Sequence, residues 1–214
     1  MKVNEKVEYA TIAIAYWLAT ASSMAGFYCL GEATQDASNL GALGPQRHLL
    51  SLGIVLQLLN DGCVVLIGLL FYNRLRLTHH WIGLVVLVTR LAEATILLIG
   101  KLGLLSLALL AEHKSNPAAE LLGLVLQDLH GWSFVLGMLP LGLGGAMLSL
   151  FLWKHKAAPG ILAALGIVGY FLLFAKSAIE LFFIQTTVWL FLPVAIFEFV
   201  FPIWLLSRGL KLVK

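Results

Sequence analysis

Six long apolar stretches, separated by short polar segments, dominate the pattern of this chain of 214 residues. An α-helix needs about 20 consecutive apolar residues to cross the hydrocarbon core of a bilayer, and each stretch reaches that length. The pattern therefore predicts an all-α fold, a polytopic membrane bundle of six transmembrane helices in a single transmembrane domain over residues 1–214. The predicted spans are residues 9–30, 49–72, 81–101 (continuing toward 111), 131–153, 159–183 and 187–207.

Four ionisable residues, Asp61, Arg90, Glu93 and Glu198, interrupt three of these stretches near their centres. Arg90 and Glu93 stand three residues apart, so they share one face of the third helix, about 14–18 Å from its start in a core about 30 Å thick. A charge at the bilayer centre costs about 2.5–3.5 kcal/mol on insertion scales. Such residues are accepted where they pair, line a wet cavity or perform chemistry, so we expect all four to converge inside the bundle.

The charge balance of these four residues favours a site over a purely structural network. One arginine faces three acids, which leaves a net charge of −2 if all are ionised. A proton, a bound cation or a cationic ligand would balance that charge. The alternative is a salt-bridge network of Arg90 with Glu93 and Asp61 that locks helices together, as buried ionic groups can do.

Neighbouring residues add to this predicted site. Asn60 precedes Asp61, and Pro193 and Pro202 flank Glu198. Pro202 cannot donate to the carbonyl of Glu198, so that carbonyl is available to a cation, a water or a ligand, as in the broken helices of transporters. Secondary candidates are Asp128 and His130 at the start of the fourth span and Lys101, which we place near the outer surface. Lys176 and Glu180 are expected to pair at i,i+4 spacing.

The composition of the chain excludes several classes of function. The chain is 60% hydrophobic and 12% charged, with a mean hydropathy of +0.94, which indicates a membrane protein. Its net charge of +3 is small and its basic residues are scattered, which weighs against nucleic acid as a partner. No CxxC, HExxH, Walker or GxGxxG pattern occurs, so we expect no metal and no cofactor. The two cysteines lie in different spans and are expected to remain unpaired.

The distribution of basic residues predicts the orientation. By the positive-inside rule, the ends and loops that carry more Lys and Arg face the cytoplasm. This places both termini in the cytoplasm, consistent with an even number of spans. An apolar run at 118–129 either lies along the membrane surface or extends the fourth helix. The richer side carries Lys2, Lys6, Arg74, Arg76, Lys154, Lys156, Arg208, Lys211 and Lys214, and the other carries Arg47, Lys101, Lys114 and Lys176.

Three stretches resemble a family of bacterial six-helix membrane proteins, the domain-of-unknown-function 4386 family. They are Leu58–Tyr72 (LLNDGCVVLIGLLFY), Arg90–Gly100 (RLAEATILLIG) and Phe197–Leu210 (FEFVFPIWLLSRGL), and Pro159–Gly169 also fits. The resemblance implies a six-helix bundle in the bacterial cytoplasmic (inner) membrane. The Arg90–Glu93 pair and Glu198 match the family's polar signature, whereas Asp61 departs from it. The resemblance leaves the function open.

Three functions compete on these observations. The first is binding or transport of a small cationic or amphipathic ligand, or of protons, at the midplane polar site. The second is an intramembrane enzyme that uses a buried carboxyl as general acid on a lipid or isoprenoid substrate. The third is an accessory or scaffold subunit without catalytic activity. The missing catalytic motifs weigh against the enzyme. Membrane lipid, a small amphipathic ligand, and a membrane-protein partner or second copy of the chain are the expected partners.

Overall fold

In a computed structural model of the chain, residues 3–34, 40–111 and 117–210 are described. These residues form six long α-helices and no strand, and all six helices are long and apolar enough to cross a membrane, which confirms the predicted fold class. The helices are α1 (Val3–Thr34), α2 (Leu40–Leu75), α3 (His80–Leu110), α4 (Pro117–Lys154), α5 (Gly160–Glu180) and α6 (Leu192–Arg208), and a short 3-10 helix (Val188–Phe191) precedes α6.

The observed helices extend beyond several predicted spans. The apolar run at 118–129 continues α4 instead of forming a separate surface helix. Pro117 is the first residue of α4, a position that suits proline because the first helical N–H groups have no intrahelical acceptor. Helix α6 runs without interruption through Pro202, so the Glu198 carbonyl that loses its usual donor there lies within a continuous helix. The irregular backbone lies earlier, between Leu181 and Thr187.

Two local features delimit α6. Pro193 stands in its first turn, where the fixed φ of proline suits a helix start. Gly209 follows its last residue with a φ of 66°, a conformation that glycine adopts without the steric cost of a Cβ. These features fix the length of α6 at 17 residues, much shorter than the 32 residues of α1.

The six helices form a ring in chain order. Each packs against its neighbours in sequence, and α6 returns to pack against α1. The α1–α6 contact includes an edge-to-face pair of Tyr16 and Phe201, with ring centroids 6.0 Å apart. Near the start of α1, Arg74 from the end of α2 donates hydrogen bonds to Tyr9 and Glu5 at 3.1 and 3.0 Å. We call the end where α1 begins and α6 finishes the terminal end, and the opposite end the distal end.

An aromatic core fills the terminal half of the ring. The ring of Phe201 stacks on Phe197 at 5.0 Å and on Phe71 at 6.3 Å, and Ile67 and Leu205 are fully buried beside them. Side chains of α1, α2, α5 and α6 contribute to this core. The terminal half is therefore a packed interior, and open space inside the ring lies toward the distal half.

Close helix contacts at glycines hold α5 in the ring. A Cβ added at Gly169 would lie 2.7 Å from the backbone nitrogen of Val194 on α6, too close for two backbones to adjust cheaply. Gly62 on α2 is a natural comparison, because nothing lies within 4 Å of a Cβ added there.

We predict that Gly169→Ala lowers the melting temperature in detergent, because overpacking in a tight contact costs about 1–3 kcal/mol. Gly62→Ala is the matched control and should melt at or slightly above the wild-type temperature, since alanine is the better helix former. Thermal unfolding followed by circular dichroism measures both. Equal melting temperatures for the two variants would show that α5 and α6 do not approach as closely as described.

Candidate functional site

A cavity of about 570 Å³ lies inside the distal half of the ring. All six helices and the 3-10 helix contribute to its wall, which is mostly apolar. This volume falls within the range of about 300–1,000 Å³ typical of small-molecule pockets. The polar side chains of its wall are Tyr16, Thr20, Ser23, Gln57, Asn60, Arg90, Glu93 and Glu198.

Arg90 is the centre of the charged part of this wall. Its Nη1 donates to Oε2 of Glu93 at 3.1 Å, and its Nη2 lies 3.6 Å from Oε1 of Glu198. Arg90 and Glu93 lie one turn apart on α3, whereas Glu198 comes from α6, which is not a neighbour of α3 in the ring. The interaction therefore crosses the ring, at the boundary between the aromatic core and the cavity. Arg90, Glu93 and Glu198 converge as the sequence predicts.

Two tyrosines complete this group. The hydroxyl of Tyr170 on α5 donates to Oε1 of Glu198 at 2.8 Å. The guanidinium carbon of Arg90 lies 5.9 Å from the ring centroid of Tyr16 on α1, within reach of a cation–π interaction. Both tyrosines are buried. We call Arg90, Glu93, Glu198, Tyr16 and Tyr170 the charged cluster.

Asp61 does not join the charged cluster, which corrects the expectation that all four midplane residues converge. Its Oδ2 lies 2.8 Å from Nζ of Lys101, and its Oδ1 accepts a hydrogen bond from Nδ2 of Asn60 at 3.3 Å. Lys101, expected near the outer surface of the membrane, is 2% exposed and is the partner of Asp61. Lys101 therefore neutralises a buried acid that Arg90 does not reach. Its long stem lets the ammonium group extend from α3 to Asp61 on α2.

Asp128 and His130, the secondary candidates on α4, lie outside the cavity. They line a separate, open depression of about 800 Å³ at the distal end, together with Glu180, Gln185 and Thr186. We call this depression the distal vestibule. Glu180 accepts hydrogen bonds from Lys176 and Thr186, so the predicted pair of Lys176 and Glu180 is confirmed.

The two buried charge systems differ in balance. The pair of Asp61 and Lys101 is neutral. The charged cluster has one guanidinium against two carboxyl groups, so it would carry a net charge of −1 if all three were ionised. Burial of an uncompensated charge is costly in an apolar setting. The cluster is therefore suited to a cation, a cationic head group or a proton. Among the described residues, no three His, Cys, Asp or Glu side chains are grouped to hold a metal ion.

Sequence reasoning missed Tyr16 and Tyr170. A tyrosine in the middle of an apolar helix indicates a polar contact inside the bundle, because a buried hydroxyl must find a hydrogen-bond partner. Tyr170 also depends on Gly145, since a Cβ there would collide with the tyrosine ring. The sequence shows the glycine and the tyrosine but does not show that they meet.

We predict that Lys101→Met destabilises the protein in detergent, because removing one partner of a buried ion pair typically costs about 3–5 kcal/mol. The double variant Lys101→Met with Asp61→Asn should be milder, since it also removes the stranded carboxylate. Lys6→Met on the exposed surface of α1 is the control and should melt like the wild type. Melting temperatures of the four proteins decide the matter. A double variant as unstable as the single variant would mean that Lys101 does not neutralise Asp61.

Comparison with known proteins identifies a family. The family model "Domain of unknown function (DUF4386)" matches residues 9–209, which include all six candidate membrane-spanning helices except the first residues of α1. No curated protein and no solved structure matches the chain. The match covers the Arg90–Glu93 pair, Glu198 and the cavity that they line. The chain is thus a multi-pass membrane protein that belongs to the DUF4386 family.

Proposed function

We propose that the protein binds, inside the membrane, one amphipathic molecule with a hydrocarbon body and a cationic head. The observation that carries this proposal is the position of the charged cluster at one end of a mostly apolar cavity of about 570 Å³. A hydrocarbon body would be buried against residues such as Leu97, Met138 and Leu173, each less than one-tenth exposed. The head would meet Glu93 and Glu198.

The charge of the cluster sets the preferred head group. Arg90 already has two carboxylates within 3.6 Å, so an anionic head would add a third negative group around one cation. With both carboxyl groups ionised, a cationic head would instead bring the sum of charges from −1 to zero. Charge-assisted hydrogen bonds from an ammonium to a carboxylate are about twice as strong as neutral ones. We therefore infer that long-chain amines bind better than alcohols or carboxylates of the same length.

The first test compares three probes of equal chain length, namely dodecylamine, dodecanol and dodecanoate, added to the protein in lipid nanodiscs. A ligand that binds only the folded state raises the melting temperature by mass action. We expect the largest rise with dodecylamine. Glu198→Gln, which removes one carboxylate charge, should abolish the advantage of the amine over the alcohol.

The control is Glu120→Gln, which makes the same substitution on the exposed surface of α4, outside the cavity. It should leave the order of the three probes unchanged. Equal shifts with all three probes would contradict a cationic head group. The absence of any shift would contradict binding and favour a structural role for the charged cluster.

We also propose that the protein lies in the bacterial cytoplasmic membrane with both termini in the cytoplasm. The support is the excess of basic residues at the terminal end, where the structure describes Lys6, Arg74, Arg76, Lys154, Lys156 and Arg208. Four further lysines of the predicted asymmetry lie outside the described residues, namely Lys2, Lys114, Lys211 and Lys214.

Reporter fusions test this orientation. Fusions at Asn39, His79 and Pro117 should report the periplasm, the cytoplasm and the periplasm, respectively, because these positions follow α1, α2 and α3 in turn. The reverse pattern at all three positions would overturn the proposed orientation while leaving the fold unchanged.

A further inference from the structure

The cavity is open to one side. Its wall on α2, α3, α4 and α5 consists of buried or half-buried residues, whereas the exposed members lie only on α1, the 3-10 helix and α6. Met24 and Phe27 on α1 are 71% and 42% exposed, and Val188 is 69% exposed. Ala195 on α6 is also exposed. All four are apolar, so the border of the opening is suited to contact with the hydrocarbon of a bilayer.

The unequal lengths of α1 and α6 explain the opening. The two helices contact each other at Tyr16 and Phe201, and Nε1 of Trp17 lies 3.4 Å from the carbonyl oxygen of Phe199. From these contacts α1 continues to Thr34, but the antiparallel α6 begins only at Leu192. Met24 lies ten residues before the end of α1, about 15 Å along the axis, so the opening is within the span. Within the described ranges of the chain, the last part of α1 has no helical partner on this side.

A layer of aromatic rings lines the cavity toward its distal side. Phe134 on α4 contacts Phe27 at 5.1 Å and Phe191 at 6.0 Å between ring centroids. These three rings line the cavity on its distal side. The distal vestibule beyond them is bordered by polar side chains, including Asp128 and Glu180. A hydrocarbon chain arriving from water would have to cross a polar surface and then the layer of aromatic rings.

The lateral opening leads to the charged cluster. The side chain of Glu198 is 23% exposed, compared with 7% for Arg90 and 3% for Glu93. Glu198 and Ala195 are three residues apart and share a face of α6. Of the three charged groups, Glu198 is therefore the one that a molecule entering beside Ala195 would meet first.

We propose that the gap bordered by Met24, Phe27, Val188 and Ala195 is a lateral portal through which a membrane-dissolved, single-chain amine enters the cavity from the bilayer. The inference rests on the proposed function, and it adds the source of the ligand. The volume of the cavity, about 570 Å³, suits one small molecule. The apolar border of the portal suits an alkyl chain that passes directly from the hydrocarbon core of the bilayer into the cavity.

The experiment closes the portal with a reducible cross-link between α1 and the 3-10 helix. Cys29 and Cys63 are free and buried, and both are first replaced by alanine. Met24→Cys and Val188→Cys are then bridged by a short bis-methanethiosulfonate linker in nanodiscs, and mass spectrometry gives the bridged fraction. The release of radiolabelled dodecylamine is measured before bridging, after bridging and after reduction. We expect bridging to slow release by about tenfold or more, because escape then needs a rare opening, and reduction to restore the rate.

Two further variants keep the test decisive. The matched control is Trp17→Cys with Phe199→Cys. Its cross-link joins α1 to α6 on the same side of the ring, at a contact outside the cavity wall. Its bridge should leave the release rate unchanged. Ala195→Trp narrows the portal without a cross-link and should slow release, since the exposed position tolerates a larger side chain.

The outcomes separate the portal from the proposed function. Unchanged release from the fully bridged protein would overturn the portal while leaving binding in the cavity intact. Equal slowing by the control bridge would also overturn the portal, because the effect would then come from stiffening the bundle. If dodecylamine fails to bind the wild-type protein before any bridge is made, the proposed function itself fails.

Discussion

The need to neutralise charges inside a hydrocarbon environment determines how the centre of this protein is built. Arg90 is buried in mid-span, so its partners must come from the protein. One partner, Glu93, is on the same helix, but the other, Glu198, comes from a helix that is not adjacent in the ring. The interaction thus links opposite sides of the bundle and defines the level at which the aromatic core gives way to open space.

Beyond that level, toward the distal end, the ring is hollow because the last helix is short. The chain leaves α5 at Glu180, and the 3-10 helix that leads into α6 begins only at Val188, so α6 covers the distal half incompletely. A full-length sixth helix would close the gap beside α1 and bury Met24 and Val188. The irregular segment is therefore the structural reason that the cavity has both its volume and its lateral opening.

The two buried charge systems have different consequences. The pair of Lys101 and Asp61 is neutral and joins α3 to its neighbour α2, as a structural ion pair would. The charged cluster combines an excess carboxylate with a partly exposed Glu198. Buried pairs are weak evidence for stability in themselves, because desolvation offsets their attraction. What distinguishes the cluster is the unbalanced charge beside a cavity, and this combination supports a ligand site.

Much of the architecture could be predicted from the sequence, whereas only the tertiary structure decided which distant groups meet. Six apolar stretches determine six helices, because a membrane helix must satisfy its backbone hydrogen bonds internally, and mid-span charges face inward because lipid exposure would be too costly. The pairing of Lys101 with Asp61 depends instead on the rotation of α3 against α2, which no local pattern specifies. Likewise, Tyr170 reaches Glu198 because Gly145 leaves room for its ring. The periodicity of apolar residues in the sequence predicts which face of each single helix is buried. The pairing of side chains between helices, the cavity and its opening depend on how the six helices pack together.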